Sequence, residues 1–495
     1  MKQYTKNAVI SIFILITVAL PFSSTWLFET FDGLSMEEIV FHIKVPMVGA
    51  NNDFFNDFLT TVFPKVLFIF FVVMVLRHLL INRFSKNDQF KTKIKLLIVP
   101  LCIAVFSYYS VTIINQFGVV SYIKDNIKQS TFFEENYVKV TPDNLTYPEN
   151  DRNLIYIFVE SFESTFTSKE KGGALFYDTI EPLENLISSS INFSNTDQLG
   201  GASFATGTSW TVAALVSQTS GIHLSIPIEG NSMNLHSDFL PGTVSIGEIL
   251  NERDYNQVFL LGSDANFGGR SNYFKQHGNY LIHDYYYALD KNLIPEGYHE
   301  WWGYEDEKLF EFAKEELLHL SSLDEPFNLT MLTADTHHID GYLTEGIEER
   351  FEQQYMNVIL NSSKQLSEFV EWIKTQDFYD NTTIIISGDH HTMDAPFIKL
   401  NVEESYNRKI FNLVINSVVE PVNKANREFS TFDFFPTTLA SLGYTIEGDR
   451  LGIGTNLFSE KQTIFEEFGT NFTNNELSLK SSFYRNNIIV KTKER

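Results

Sequence analysis

The chain has 495 residues, a formal net charge of −25 and a single cysteine, Cys102. The length allows more than one domain, and the acidity without a basic stretch of the nucleic-acid-binding kind argues against a nucleic-acid partner. One cysteine, inside an apolar run, excludes an internal disulfide, a cysteine-built zinc site and a cysteine nucleophile.

The charge is unevenly spread: residues 1–130 carry 12 Lys+Arg against 8 Asp+Glu, a surplus of +4 that leaves −29 for the rest of the −25 total. That first part holds three uncharged or nearly uncharged apolar runs, at about 8–28, 61–81 and 96–115, each long enough to cross a bilayer. Lys65 and Arg77 sit near the ends of the second run, where long cationic side chains reach the interface. Lys2 and Lys6 precede the first run, and Arg83, Lys86, Lys91, Lys93 and Lys95 fill the loop between the second and third. The loop between the first and second has only Lys44. This asymmetry places the N-terminus and the second loop in the cytoplasm and everything after the third span outside. The expectation is a multi-pass membrane anchor over residues 1–119, a polar connector over 120–150 and an extracellular domain over 151–495. An exterior domain without disulfides, in a chain rich in Asn, Lys, Ile and Phe, points to a Gram-positive bacterium.

Beyond Asp151, strand-like and helix-like segments alternate, which predicts an α/β fold with a mostly parallel sheet between helices. Asn153–Val159, Val258–Leu261, Phe327–Thr333, Thr382–Ile386 and Ile410–Ile415 read as buried strands. Glu181–Ser188, Val212–Ser217, Glu305–Leu320, Tyr355–Lys374 and Phe432–Leu442 read as helices.

Three of the strands end in acid or imidazole groups. Asn153–Val159 runs into Glu160, Phe327–Thr333 into Asp335-Thr336-His337-His338, and Thr382–Ile386 into Ser387-Gly388-Asp389-His390-His391. In an open α/β sheet the ligand crevice lies outside the carboxyl ends of the strands. A small-residue loop, Gly200–Thr211, leads into the helix beginning near Val212. A hydroxyl there meets free N–H groups and the positive end of the helix dipole, an arrangement suited to a phosphate or sulfate. Glu160, a Thr or Ser of this loop, Asp389 and His390 together make a set of hard O and N ligands for Mn²⁺, Mg²⁺ or Zn²⁺. His337 or His338 supplies a general acid or base. Asp264, Arg270 and His277 follow another strand, with Arg270 placed to clamp a phosphate.

With these motifs the chain resembles the sulfatase-like membrane glycerophosphate transferases, the lipoteichoic acid synthase and phosphoglycerol transferase family. The resemblance is carried by Ile155–Glu163, Gly207–Thr211, Trp302–Asp306, Leu332–Gly341, Ser387–His390 and Phe435-Pro436-Thr437, and by Glu38–His42 through Val48-Gly49 in the first outer loop. It implies an alkaline-phosphatase/sulfatase-like domain holding one divalent metal, manganese first, on Glu160, Thr211, Asp389 and His390. Thr211 is then the nucleophile, with Thr208 and Ser209 as its neighbours in the motif. His337 takes the place of the family's substrate-side histidine, with His338 as the alternative, and Arg270 contacts the donor's glycerophosphate; Asp264, His277 and His338 are the further substrate-binding candidates. Two positions depart from the pattern: Gly268 stands where lipoteichoic acid synthases have a tryptophan, and Ile339 where relatives have a proline.

The reaction this implies moves glycerol phosphate from phosphatidylglycerol, through a covalent threonine intermediate, to a cell-envelope glycan or teichoic-acid-type acceptor. A phosphoethanolamine transferase, a phosphatase-type hydrolase or a sulfatase shares the fold. A sulfatase requires a Cys or Ser in a Cys/Ser-x-Pro-x-Arg context, which the loop before Thr211 lacks. A non-catalytic polymer-binding protein is the reading outside enzymes.

Overall fold

The computed structural model describes residues 2–31, 33–44, 53–82, 88–225 and 239–490. Val48, Gly49, Arg83 and Lys86, on which parts of the sequence reading rest, lie outside them. By internal packing the chain forms two compact units, one of residues 1–36 and 51–123, the other of 37–50 and 124–495.

The first unit is helical: α1 (Lys2–Thr30), then, past α2 (Met36–Lys44), α3 (Phe63–Asn82) and α4 (Asp88–Gln116). Among the described residues three stretches, Ala8–Thr30, Phe55–Leu80 and Val99–Gln116, are long and apolar enough to cross a membrane. Large apolar side chains such as Phe68, Phe71 and Leu101 are exposed on them, as a lipid environment requires. Within the unit the contacts are aromatic and polar: Phe13 packs on Phe106 at 5.8 Å, and Trp26 Nε1 donates to Asp57 Oδ2 at 2.6 Å. From Glu37 onward α2, within the stretch expected to be the anchor, clusters with the second unit.

The second unit is built on a six-stranded sheet of β1 (Asn153–Val159), β2 (Asn256–Leu261), β3 (Leu281–His283), β4 (Phe327–Leu332), β5 (Thr382–Gly388) and β6 (Asn412–Ile415). Their order is β3-β2-β4-β1-β5-β6, parallel throughout except for β6, which runs antiparallel to β5. From Leu154 to Val159 the β1 run is aliphatic or aromatic because both its faces are buried. Leu154, Tyr156 and Phe158 enter one hydrophobic core and Ile155, Ile157 and Val159 the other. Helix α5 (Thr211–Ser220) and, late in the chain, α9 (Phe434–Ser441) cover the first face. Between them in sequence come the short α6 (Arg270–Gln276), then α7 (Asp306–Ser321) and α8 (Gln354–Lys374), the last two covering the second face. In α8, Met356, Ile359, Leu366, Phe369, Val370 and Ile373 recur at helical spacing and are buried against that face.

The expected elements are found, with shifted ends. The helix before Ser217 begins at Thr211 itself and runs to Ser220, where Gly221 closes it in the left-handed conformation. The late helix splits into a 3₁₀ turn, Thr431–Asp433, and α9, with Pro436 in the first turn of α9.

Candidate active site

Register brings the candidate ligands together. On adjacent parallel strands Val159 pairs with Gly388 and Phe158 with Leu332, so β1, β4 and β5 end at one level. The chain then leaves each strand in step: Thr333 N donates to Phe158 O at 3.0 Å and Asp389 N to Val159 O at 3.2 Å. Gly388 is required there, since a β-carbon on it would meet Phe162 O at 1.9 Å. Glu160 and Asp389 therefore stand side by side, both buried.

The cluster is tight. Glu160, Asp389 and His390 offer ligand atoms within 4.8 Å of one another, and all three are buried. His390 Nε2 lies 3.5 Å from Glu160 Oε1 and 3.3 Å from Asp389 Oδ2. The Nδ1 of the same ring is 2.8 Å from the His391 carbonyl, so this nitrogen carries the hydrogen and Nε2 turns a lone pair inward when the ring is neutral. Asp389 Oδ1 accepts from the backbone N–H groups of Ser161 and His390, both at 2.7 Å, while Oδ2 makes no hydrogen bond.

The electrostatics suit a cation. Burial and the neighbouring Glu160 push the Asp389 carboxyl up to about 7. Burial disfavours the His390 imidazolium, yet Asp389 and Glu160 outweigh it and hold the ring up to about 9. Two buried carboxylates and an inward imidazole nitrogen in one place are a donor set that a divalent ion fits.

Thr211 completes the arrangement. Its Oγ1 lies 3.4 Å from Glu160 Oε2 and 3.4 Å from His390 Nε2, in the first turn of α5. Trp210 precedes the helix without a side-chain cap, so the first-turn N–H groups remain for a ligand. Gln218 locks α5 in place: its Oε1 accepts from Tyr156 Oη at 2.9 Å and its Nε2 donates to Gly388 O at 3.0 Å, tying the helix to β1 and β5. Of the neighbouring hydroxyls, Thr208 is buried and donates to Ala205 O at 2.8 Å. No contact to the ligand cluster is found for Ser209, whose Oγ is buried without a hydrogen bond.

His337 is half-buried and His338 buried behind it, their rings stacked at 4.6 Å. Burial lowers the His337 imidazole to about 4 despite the His338 carbonyl, and Asp389, His390 and Arg270 all act on it electrostatically. Its loop is braced by Asp306, whose two carboxyl oxygens accept from Ala334 N at 2.8 Å and Asp335 N at 3.0 Å. Arg270 is buried at the start of α6, held by Nη2 donating to Asp264 O at 2.7 Å and Ser263 Oγ at 3.3 Å, while its Nε makes no hydrogen bond. Burial lowers the guanidinium to about 10 against the pull of Glu160, Asp264, Asp284 and Asp389.

Two expected substrate contacts take other places. The Asp264 carboxylate closes a local turn, accepting from Asn266 N at 2.8 Å and Asn266 Nδ2 at 2.9 Å. Both His277 nitrogens are engaged, Nδ1 with Glu248 Oε2 at 2.9 Å and Nε2 with Phe239 O at 2.6 Å. His277 stands past the end of α6, so following a strand did not suffice to bring it into the crevice. Sequence reasoning missed Ser161, Gln218 and Asp306, which touch the ligands, the helix and the histidine loop. Both Asp306 and Ser161 lie within segments that carry the family resemblance, Trp302–Asp306 and Ile155–Glu163.

Residues 152–444, more than half of the chain, match the sulfatase family. The chain belongs to that family. Among curated proteins it is 29% identical over 333 residues to phosphoglycerol transferase I of Citrobacter koseri, covering 65% of this chain and 41% of that one. Phosphoglycerol transferase I of Escherichia fergusonii is 29% identical over 324 residues, covering 63% and 40%. The chain thus spans about two fifths of the length of these curated relatives. Among solved structures, a protein of the alkaline phosphatase superfamily from Vibrio parahaemolyticus superposes with a TM-score of 0.50 at 21% identity, over 70% of this chain and 82% of that one. The second unit therefore has the alkaline-phosphatase-like fold, with its mostly parallel sheet among helices.

Proposed function

We propose that this protein is a metal-dependent phosphoglycerol transferase. It moves glycerol phosphate from phosphatidylglycerol to a glycan or teichoic-acid-type acceptor of the cell envelope. The observation that carries the reading is the Thr211 hydroxyl, 3.4 Å from both Glu160 and His390 at a helix N-terminus. The names of the curated relatives support the transferred group.

Glu160, Thr211, Asp389 and His390 would hold the ion, manganese in the first instance and magnesium or zinc as alternatives. When bound it neutralises the buried carboxylates and favours the Thr211 alkoxide. Thr211 Oγ1 attacks the donor phosphorus in line; the Oγ1–P bond forms and the bond to the diacylglycerol oxygen breaks. The N–H groups of the first turn of α5 and the Arg270 guanidinium receive the phosphoryl oxygens. His337, on the open side of its stacked pair and neutral at rest, takes up the proton that Thr211 loses and passes it to the departing diacylglycerol oxygen. An acceptor hydroxyl then attacks the glycerophospho-threonine, loses its proton to the same imidazole, and restores Thr211.

The sulfatase alternative needs an oxidised Cys or Ser as nucleophile. Thr211 cannot give that aldehyde, and Cys102 belongs to α4. The three apolar helices and the Lys/Arg asymmetry around them support a catalytic domain, nominally residues 151–495, on the outer face of the cell membrane. The low cysteine content fits a Gram-positive source. A lipid donor explains why such a domain is anchored.

The test is mass spectrometry of the detergent-solubilised full chain incubated with Mn²⁺ and headgroup-labelled phosphatidylglycerol. A glycerophosphate adduct on the peptide containing Thr208–Thr211, absent in Thr211→Ala, is expected. Neither adduct nor diacylglycerol release would overturn the reading.

A further inference from the structure

α2 belongs to the connection between the first two apolar helices in sequence, yet its residues from Glu37 on pack within the catalytic unit. Phe41 is fully buried, with its ring 5.6 Å from that of Trp210, the residue before Thr211. On its other side lies Gly268, two residues before Arg270. This glycine has φ +66°, and a β-carbon there would meet Val212 Cγ2 at 2.4 Å and stand 3.9 Å from Phe41 Cε1. Val212 thus excludes a side chain at position 268, with Phe41 alongside at ordinary contact distance. Phe41 links α2 both to Trp210, before Thr211, and to Gly268, before Arg270.

Glu38, Phe41 and His42 are spaced i, i+3, i+4 and share one face of α2. His42 stacks on Phe267 at 5.8 Å and 17°, and the Arg270 guanidinium lies over the same Phe267 ring at 5.4 Å. Phe267 leads on to Trp302 at 5.6 Å and Trp302 to His337 at 4.5 Å, an aromatic rim around the crevice. Glu38 is buried, and its charge acts on His390. Burial lowers His42 to about 4, so at neutral pH it is an uncharged imidazole able to donate or accept one hydrogen bond.

We propose that Glu38 and His42 of α2 form the headgroup end of the donor site and bind the hydroxyls of the glycerol that is transferred. The proposal rests on the phosphoglycerol-transfer reading. This face of α2 is tied through Phe41 to Trp210, the neighbour of Thr211, and through His42 to Phe267, the ring under Arg270, so a phosphate held by Thr211 and Arg270 would lie near it. A carboxylate beside a phosphodiester is repelled by the phosphate, so the ligand group it accepts must be a hydrogen-bond donor. A glycerol supplies two hydroxyls for one carboxylate and one neutral imidazole. The ammonium of an ethanolamine headgroup would satisfy Glu38 alone. A membrane-loop helix is thereby a specificity element of the active site.

The experiment measures diacylglycerol release by the full chain in mixed micelles, with phosphatidylglycerol and with phosphatidylmethanol, whose headgroup has no hydroxyl. The readout is the ratio of the two kcat/KM values. Glu38→Gln, which keeps the shape, lowers the ratio by about tenfold or more, the loss of one hydrogen bond to a charged group. The loss appears mainly as a higher KM for phosphatidylglycerol. Phe41→Ala, which removes this link, lowers the ratio as well, and Phe41→Leu restores most of it. A ratio equal to that of the wild type in Glu38→Gln would overturn the proposal, whatever the overall rate. If the wild type instead turns over phosphatidylethanolamine and not phosphatidylglycerol, the transferred group has been misread. The same ratio measured with that donor then decides for or against a headgroup contact at Glu38.

Discussion

The backbone N–H of Ser161 donates to Asp389 Oδ1 at 2.7 Å while its hydroxyl donates to Glu160 Oε1 at 2.8 Å, so one residue holds the carboxylates from two strands. Ser161 does this with φ +53°, a left-handed conformation that costs a non-glycine residue about 1–3 kcal/mol and is found where function demands it. Ser161→Ala keeps the backbone bond and loses the hydroxyl bond. Expected is a roughly tenfold loss of metal affinity or activity, with the thermal midpoint nearly unchanged. Metal titration followed by the rate of diacylglycerol release checks it; an unchanged affinity would mean that the hydroxyl is dispensable.

Removing the metal should abolish turnover and lower stability together. Glu160, Asp389 and His390 lie within 4.8 Å of one another with every group buried. Without an ion their charges must be neutralised by protons. Treatment with a chelator is expected to lower the unfolding midpoint by several degrees, and a divalent ion added back to restore both midpoint and activity. Full activity in the chelated protein would contradict the assignment.

Thr211→Ser and Thr211→Ala should separate. Serine keeps an oxygen in the position 3.4 Å from Glu160 and His390 and retains measurable turnover. Alanine loses at least about a thousandfold, as expected when a nucleophile is deleted. Equal rates in the two variants, in a diacylglycerol-release assay, would place the nucleophile elsewhere.

The buried pair beneath the ligand loop makes a stability prediction. Glu163 is fully buried and accepts from Arg408 Nε at 3.0 Å, Arg408 Nη2 at 2.5 Å and Thr392 N at 2.9 Å. Burial opposes its ionisation, but Arg408 and His391 keep the carboxyl below its ordinary range. Arg408→Ala strands that charge and should cost about 3–5 kcal/mol. Chemical denaturation measures this; a loss under 1 kcal/mol would show that water reaches Glu163.

His223 predicts an acid limb of stability. It is buried among Phe133 and Tyr484, and burial lowers its imidazole to about 3. The unfolded ring takes up a proton near 6.5 and the folded one only near 3. Unfolding therefore binds a proton across that window, and stability is lost as pH falls through it. Between pH 6.5 and 4.5 the loss from this group is roughly 2–3 kcal/mol. His223→Gln removes it, so the difference in unfolding free energy between the two pH values should shrink by that amount in denaturant titrations. An unchanged difference would mean that the acid limb belongs to other groups.

The sheet and its candidate ligands were legible along the chain because both follow from local pattern. A run such as Ile384-Ile385-Ile386 has to be buried on both faces, and polar groups directly after it have to lie at the strand end. Glu160, Asp389 and His390 could be named for that reason; the small-residue loop before a helix offered only a Thr or Ser, and Thr211 was singled out by the family resemblance. Asp264 and His277 follow a strand in the same way, yet the turn at Asn266 and the Glu248–Phe239 clamp take them up. Chain adjacency does not carry the direction in which a side chain leaves a loop. Register supplies what pattern lacks: Val159 beside Gly388, and with it Ser161 under Asp389, is a relation between residues more than 200 positions apart. The place of α2 is of the same kind. Its residues read as part of a loop between two apolar spans, and only the packing of Phe41 between Trp210 and Gly268 brings it to the catalytic unit. Composition and periodicity decide which segments are apolar, regular and ligand-bearing, since those depend on neighbours in the chain. Which of them meet depends on long-range packing, and that was settled by the tertiary structure alone.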